Sequence, residues 1–158
     1  MPFKARPGED VVHVVAAHSG LMWDLPDGGK PGDRVETYLG DGRPDQRWTI
    51  MRHPDQPPTG EVSFLTVTTD GTRVALDAGP TPQPGSVLRV AAPTFAGQQR
   101  FLIRQIPNGD NRLVHVPSGL TLDVEGAGGP GAPLILWQAI EADGNVPGNQ
   151  RFRFARTV

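Results

Sequence analysis

The side chains with chemistry to offer recur along the chain in three sets of one order: a carboxylate, an aromatic ring, then a polar–Gln pair. In the last set they are Asp123, Trp137 fourteen residues on, and Asn149 with Gln150. In the first they are Asp24, Tyr38 at the same interval, and Asp45 with Gln46. The middle set keeps Asp77 and Gln99, but Ala91 stands where the ring should be and Gln98 replaces the Asn. A carboxylate accepts strong, charge-assisted hydrogen bonds, an amide both donates and accepts, and a flat ring offers an apolar face with, in Trp and Tyr, a polar edge. This is equipment for holding a ligand rather than for breaking bonds.

Signatures of catalysis or metal binding are missing. His13, His18, His53 and His115 lack metal-ligand spacing. His13 and His115 sit inside apolar strands and read as structural. Ser19 and Ser118 belong to equivalent Ser-Gly turns without a nucleophile elbow. The glycine-rich run Glu125 to Pro133 has no Gly-Lys-Ser/Thr ending and reads as a hairpin loop. The run "PDGGKPGD" has carboxylates without the alternation of a calcium loop. Neither a cofactor nor a metal is called for, and the chain is not expected to be an enzyme.

What positions these sets is a repeat. "DQRWTI", "QQRFLI" and "NQRFRF" carry glutamines at 46, 99 and 150, steps of 53 and 51 residues. Upstream of each stand a Gly-containing turn, an apolar stretch ending in Asp, and a loop with "KPGD", "QPGS" or "GPGA". Every copy divides into four short apolar segments, with period-two alternation in "RFRF" and "FLTVT" and no helical period. Twelve strands in three units of four give an all-β chain, a β-trefoil, in which six strands close a barrel and six hairpin strands cap one end. The expected organisation is one domain over residues 1–158, with repeats at about 11–54, 61–107 and 111–158.

The Gln-Arg-aromatic mark resembles the Gln-x-Trp signature of the ricin B-type (R-type) lectin family, over nearly the whole chain from Val11 to Phe154. The resemblance implies that Trp48, Phe101 and Phe152 pack in the core near the pseudo-threefold axis and that each glutamine pins the adjoining turn. It also implies a sugar pocket built from the Asp, the ring and the Asn-Gln pair. The third repeat holds the complete set, Asp123, Trp137, Asn149 and Gln150. The first, Asp24, Tyr38, Asp45 and Gln46, is a second site in which Asp45 removes a donor and adds charge. The second repeat, lacking a ring, is expected not to bind. Galactose or N-acetylgalactosamine is the expected ligand, because an axial 4-hydroxyl leaves a continuous C–H face for a ring to cover. Asp123 and Trp137 are both expected to face solvent, so that replacing either leaves thermal stability little changed.

Composition agrees. The 158 residues include 20 Gly and 17 Pro, which suit short strands joined by turns. Cysteine is absent, so disulfides contribute nothing. A net charge of −2 with two lysines supplies no field for phosphates, which argues against nucleic acid as partner. No apolar run reaches the roughly 20 residues of a membrane span, and the start lacks the apolar core of a signal peptide. The expected location is therefore cytoplasmic, or outside after leaderless export. Glycans are the expected partners, and two sites on one body, or a homodimer, would add avidity. The competing expectation is a trefoil that presents its Pro-rich loops, Arg52–Glu61 and Ile140–Asn149, to a protein, as trefoil protease inhibitors do.

Overall fold

A computed structural model describes residues 9–142 and 144–157. The start of the chain, and Asp143 inside the second Pro-rich loop, lie outside the described residues. The first repeat contributes β1 (Glu9–Ala16), β2 (Met22–Asp24), β3 (Glu36–Tyr38) and β4 (Trp48–Arg52). The second contributes β5 (Val62–Val67), β6 (Arg73–Asp77), β7 (Arg89–Ala91) and β8 (Phe101–Gln105). The third contributes β9 (Asn111–His115), β10 (Thr121–Val124), β11 (Leu134–Trp137) and β12 (Phe152–Arg156). All twelve join one antiparallel hydrogen-bonded sheet, as the twelve apolar segments predict.

The barrel closes where β12 pairs with β1, Phe154 opposite Val14, while β1 also pairs with β4 and β4 with β5. The hairpin strands form the cap, where backbone alone makes the threefold symmetry explicit. Val35 N–H donates to Leu88 O (3.0 Å), Leu88 N–H to Leu134 O (2.9 Å) and Leu134 N–H back to Val35 O (2.9 Å). A second ring surrounds it: the Gly32, Gly85 and Gly131 amides donate to the carbonyls of Val90, Leu136 and Thr37 at 2.7–2.8 Å. These are the glycines of "KPGD", "QPGS" and "GPGA", and all three have φ of +89° to +96°, where a Cβ is disfavoured. Each repeat's loop is thereby locked onto the third hairpin strand of the next repeat.

Trp48, Phe101 and Phe152 are fully buried, as the resemblance implies. Trp23, also fully buried, stands edge-to-face against Trp48, Phe64 and Phe152, with centroids 5.3–5.7 Å apart. It fills the centre where Leu76 and Leu122 stand in the other repeats. The core is thus symmetric in position but not in volume, the larger ring of one repeat being matched by Val14 where the second has Phe64.

Five short 3-10 turns accompany the strands among the described residues, three of them directly before the aromatic: Pro44–Gln46, Gly97–Gln99 and Gly148–Gln150. Single turns leave no helical period for a sequence pattern to show. Among the described residues no helix is long and apolar enough to cross a membrane.

Candidate functional site

The third repeat brings its four residues together. Asp123, on β10, faces Ile135 of the neighbouring β11, whose last residue is Trp137. The 3-10 turn Gly148–Gln150 carries Asn149 and Gln150 back beneath Asp123. Gln150 Nε2 donates to Asp123 Oδ2 at 2.9 Å, and Asn149 Nδ2 to Oδ1 at 3.3 Å. A surface depression of about 340 Å³ is lined by Asp123, Glu125, Ile135, Trp137, Ile140 and Asn149.

Burial raises the Asp123 carboxyl above the ordinary aspartate range, and the two amide donors hold it down. The chemistry that follows is that of a fixed acceptor: an oriented carboxylate beside an indole 40 % exposed. Asp123 itself is only 4 % exposed, so the expectation that it faces solvent is corrected. Each of its oxygens accepts from one of the two amides. Trp137 does lie at the surface.

Gln150 is fully buried and its amide is committed. Besides Asp123 it donates to Gln138 O (3.0 Å) and accepts from Ile140 N–H (2.9 Å), so it fixes the carboxylate and the loop rather than offering itself to a hydroxyl. Gln99 does the same with Asp77 Oδ2, Ala92 O and the amides of Thr94 and Phe95. Gln46 donates to Leu39 O and accepts from Asp41 N–H. The pinned turn implied by the resemblance is present three times.

The arginine of the repeat mark is explained in two copies. Arg100 Nη1 meets Asp55 at 2.8 Å and Arg151 Nη1 meets Asp110 at 2.9 Å, each tying its turn to the loop that precedes the repeat. Gly85 also lines the third-repeat depression. It comes from the second repeat, and a Cβ there would lie 3.9 Å from the Trp137 ring. The threefold interlock of loops was its only sequence signal.

In the first repeat Asp24 and Asp45 are each 1 % exposed, Gln46 is fully buried, and Tyr38 is 40 % exposed. Asp45 puts a carboxylate where the third repeat has an amide. Asp24 is pushed up to about 7 by burial and then by Asp45, against the pull of Arg43. Burial raises Asp45 as well. Arg43 Nη2 stands 4.0 Å from Asp24 Oδ2, with its Nε held by Asp41 at 2.6 Å.

The second repeat has a depression of about 630 Å³ lined by Asp77, Gly79, Arg89, Ala91 and Gln98, with no ring. Both Asp77 oxygens are taken, by the Gly79 amide at 2.7 Å and by Gln99.

His13 and His115 are structural as expected: His13 Nδ1 bonds Gln46 O, and buried His115 bonds Ser118 Oγ and Gly97 O. Among the described residues no cluster of three or more His, Cys, Asp or Glu is placed to hold a metal ion.

No protein-family model matches the chain, and no curated protein matches it. Solved structures do. The designed threefold-symmetric protein ThreeFoil superposes with TM-score 0.78 at 24 % identity, over 93 % of this chain and 99 % of that one. The Macrolepiota procera ricin B-like lectin, solved with lactose, gives 0.70 at 18 % identity over 99 % and 100 %. An exo-beta-1,3-galactanase from Clostridium thermocellum gives 0.77 at 19 % identity over 93 % of this chain, which spans 30 % of the enzyme. In fold, the chain is a β-trefoil.

Proposed function

We propose that the protein is a carbohydrate-binding lectin that acts by binding alone, with its principal site in the third repeat. The observation that carries this reading is the pairing of a half-exposed indole, Trp137, with an amide-fixed carboxylate, Asp123, on one depression. A pyranose laid on the indole places its C–H face on the ring and two neighbouring hydroxyls toward Asp123 and Asn149. A galactose-type sugar suits this best, since its axial 4-hydroxyl leaves that face unbroken.

Tyr38 and Asp24 give the first repeat the same ring-and-acid pairing, and it is proposed as a second site. The second repeat, with Ala91 where the others carry a ring, is proposed not to bind. One shallow site of this size binds at about millimolar strength, near −4 kcal/mol, so useful retention on a glycan surface comes from two sites, or two copies, acting together.

The test is retention on galactose-derivatised agarose with elution by free galactose, followed by a broad glycan array. Retention that free sugar reverses supports the reading. A folded chain that binds no sugar on the array overturns it, and capture of a protease in the same experiment would favour the loops as the working surface.

A further inference from the structure

Each repeat leans on the one before it, the third preceding the first around the axis, through the turn that joins its first two strands. Two places before the left-handed glycine of that turn (Gly20, Gly71 or Gly119, φ +70° to +90°) stands His18, Thr69 or Pro117. The three bring different chemistry to the same contact. In the first-repeat loop the Gly28 carbonyl accepts from the Thr69 backbone amide at 3.0 Å. Pro117 packs on Gly97, where a Cβ would come within 3.1 Å of its ring, and has no N–H to give. In His18 the donor is the side chain: Nε2–H donates to Gly128 O at 2.9 Å, across 110 residues of sequence. Its Nδ1 is buried without a partner, so this is the ring's only hydrogen bond among the described residues.

That bond falls on the third-repeat site. Gly128 closes the 3-10 turn Glu125–Ala127, its N–H donating to Glu125 O at 3.1 Å, and Glu125 and Gly126 line the depression beside Trp137. Gly126 and Ala127 both have positive φ, +62° and +51°, and a non-glycine residue keeps that conformation only where its surroundings fix it. The other wall is the turn Gly148–Gln150, which carries Asn149. His18 backs this turn too: a Cβ on Gly148 would lie 2.9 Å from the His18 Cβ and 3.1 Å from its Cα. Asn149 Nδ2 ties the two walls together by donating to Val124 O at 3.2 Å, next to Glu125. One half-buried imidazole from the first repeat thus touches both walls from behind.

We propose that His18 is a positioning residue for the third-repeat pocket, its Nε2–H holding the Glu125–Ala127 turn against the Asn149 turn so that Trp137, Asp123 and Asn149 meet one sugar. The inference rests on reading the third repeat as a sugar site and adds a residue from another repeat. Without the bond the Gly126–Ala127 conformation relaxes, the wall must be re-ordered when a ligand arrives, and affinity falls by the cost of that ordering.

Two substitutions separate the bond from the bulk. His18→Leu fills the space of the ring without a donor, whereas His18→Gln places a donor nitrogen the same number of bonds from the backbone. Each chain is titrated with galactose while the indole N–H signal of Trp137, assigned by its loss in Trp137→Ala, is followed by NMR, so that the third repeat is read alone. His18→Leu is expected to need about fivefold more galactose for saturation, the loss of one hydrogen bond, with the backbone amide signals of Gly126–Gly128 displaced before sugar is added. His18→Gln is expected to restore both, whatever the thermal midpoints of the two variants. If His18→Leu saturates with the wild type, or His18→Gln weakens as much as His18→Leu, the ring only fills space: the inference is overturned and the sugar pocket stands. If galactose leaves Trp137 unmoved in the wild-type chain, both fall.

Discussion

Replacing Trp137 by alanine separates ligand binding from folding, and the structure sets the size of each effect. A tryptophan side chain has about 250 Å² of surface, so an exposure of 40 % leaves about 100 Å² for a ligand to cover. A pyranose covering half of this, together with its own matching face, removes about 100 Å² from water, worth about 2.5 kcal/mol. That corresponds to about a 70-fold loss of affinity, which takes a millimolar ligand out of range. The shielded part of the ring also matters to folding. Truncation gives up about 100 Å² of that contact, at most about 2.5 kcal/mol, so the melting temperature should fall by about 5–10 °C. A melt decides between this fall and the little-changed midpoint expected of a solvent-facing ring. Trp48→Ala, inside the core, is the comparison: it costs about 3–5 kcal/mol and should lower the midpoint by about 6–20 °C. Calorimetric titration with galactose and thermal melts of both variants measure the two effects. A folded Trp137→Ala chain that still binds galactose at wild-type strength would falsify the stacking argument.

Three further outcomes follow from the same contacts. Asp24 is harder to ionise in the folded chain (about 7 against an ordinary 3.8), so the folded state loses stability as pH rises through that window. Asp45→Asn removes the repulsion and should raise the melting temperature at pH 8 by about 1–2 kcal/mol equivalent, with the gain fading toward pH 4; a gain independent of pH would exclude this cause. Gln150→Ala strands the Ile140 amide and frees Asp123, and should cost about 2–3 kcal/mol while weakening sugar binding, although Gln150 has no exposed surface. Arg151→Ala cuts the tie to Asp110, a partly exposed pair worth about 1 kcal/mol at most; hydrogen exchange should quicken in the Pro107–Asp110 turn and nowhere in β1.

The architecture was legible because its signal is local and repeated. Twelve apolar segments, three glutamine-aromatic marks and three Pro-Gly loops each predict a strand, a core ring or a turn, and all are present. The interior arrangement was less legible. That Trp23 occupies the centre depends on three repeats meeting at one axis, which spacing along the chain does not express. The site divides in the same way. Asp123, Trp137 and Asn149 share a depression as their spacing suggests, since spacing within one repeat fixes strand register. For Gln150 the amide's chemistry is visible in sequence, while its bonds to Asp123, Gln138 and Ile140 are not. Gly85 lines the same depression from the neighbouring repeat, which spacing within one repeat does not express.

That division has a physical source in the cap. The hairpin strands are held by two rings of backbone hydrogen bonds, from Val35, Leu88 and Leu134 and from Gly32, Gly85 and Gly131. Neither ring uses the side chains at 38, 91 or 137, where the outer ends of those strands emerge. Barrel packing likewise uses Trp48, Phe101 and Phe152 but not the residues three places before each. The positions that decide ligand chemistry therefore stand outside both backbone rings and outside the three buried aromatics, and substitutions there leave that frame in place. The three copies have accordingly diverged in chemistry over one frame: indole with acid and amide, phenol with two acids, and acid with amide but no ring. The glutamines are the exception, buried in every repeat, because each holds its loop and two of them hold the acid as well.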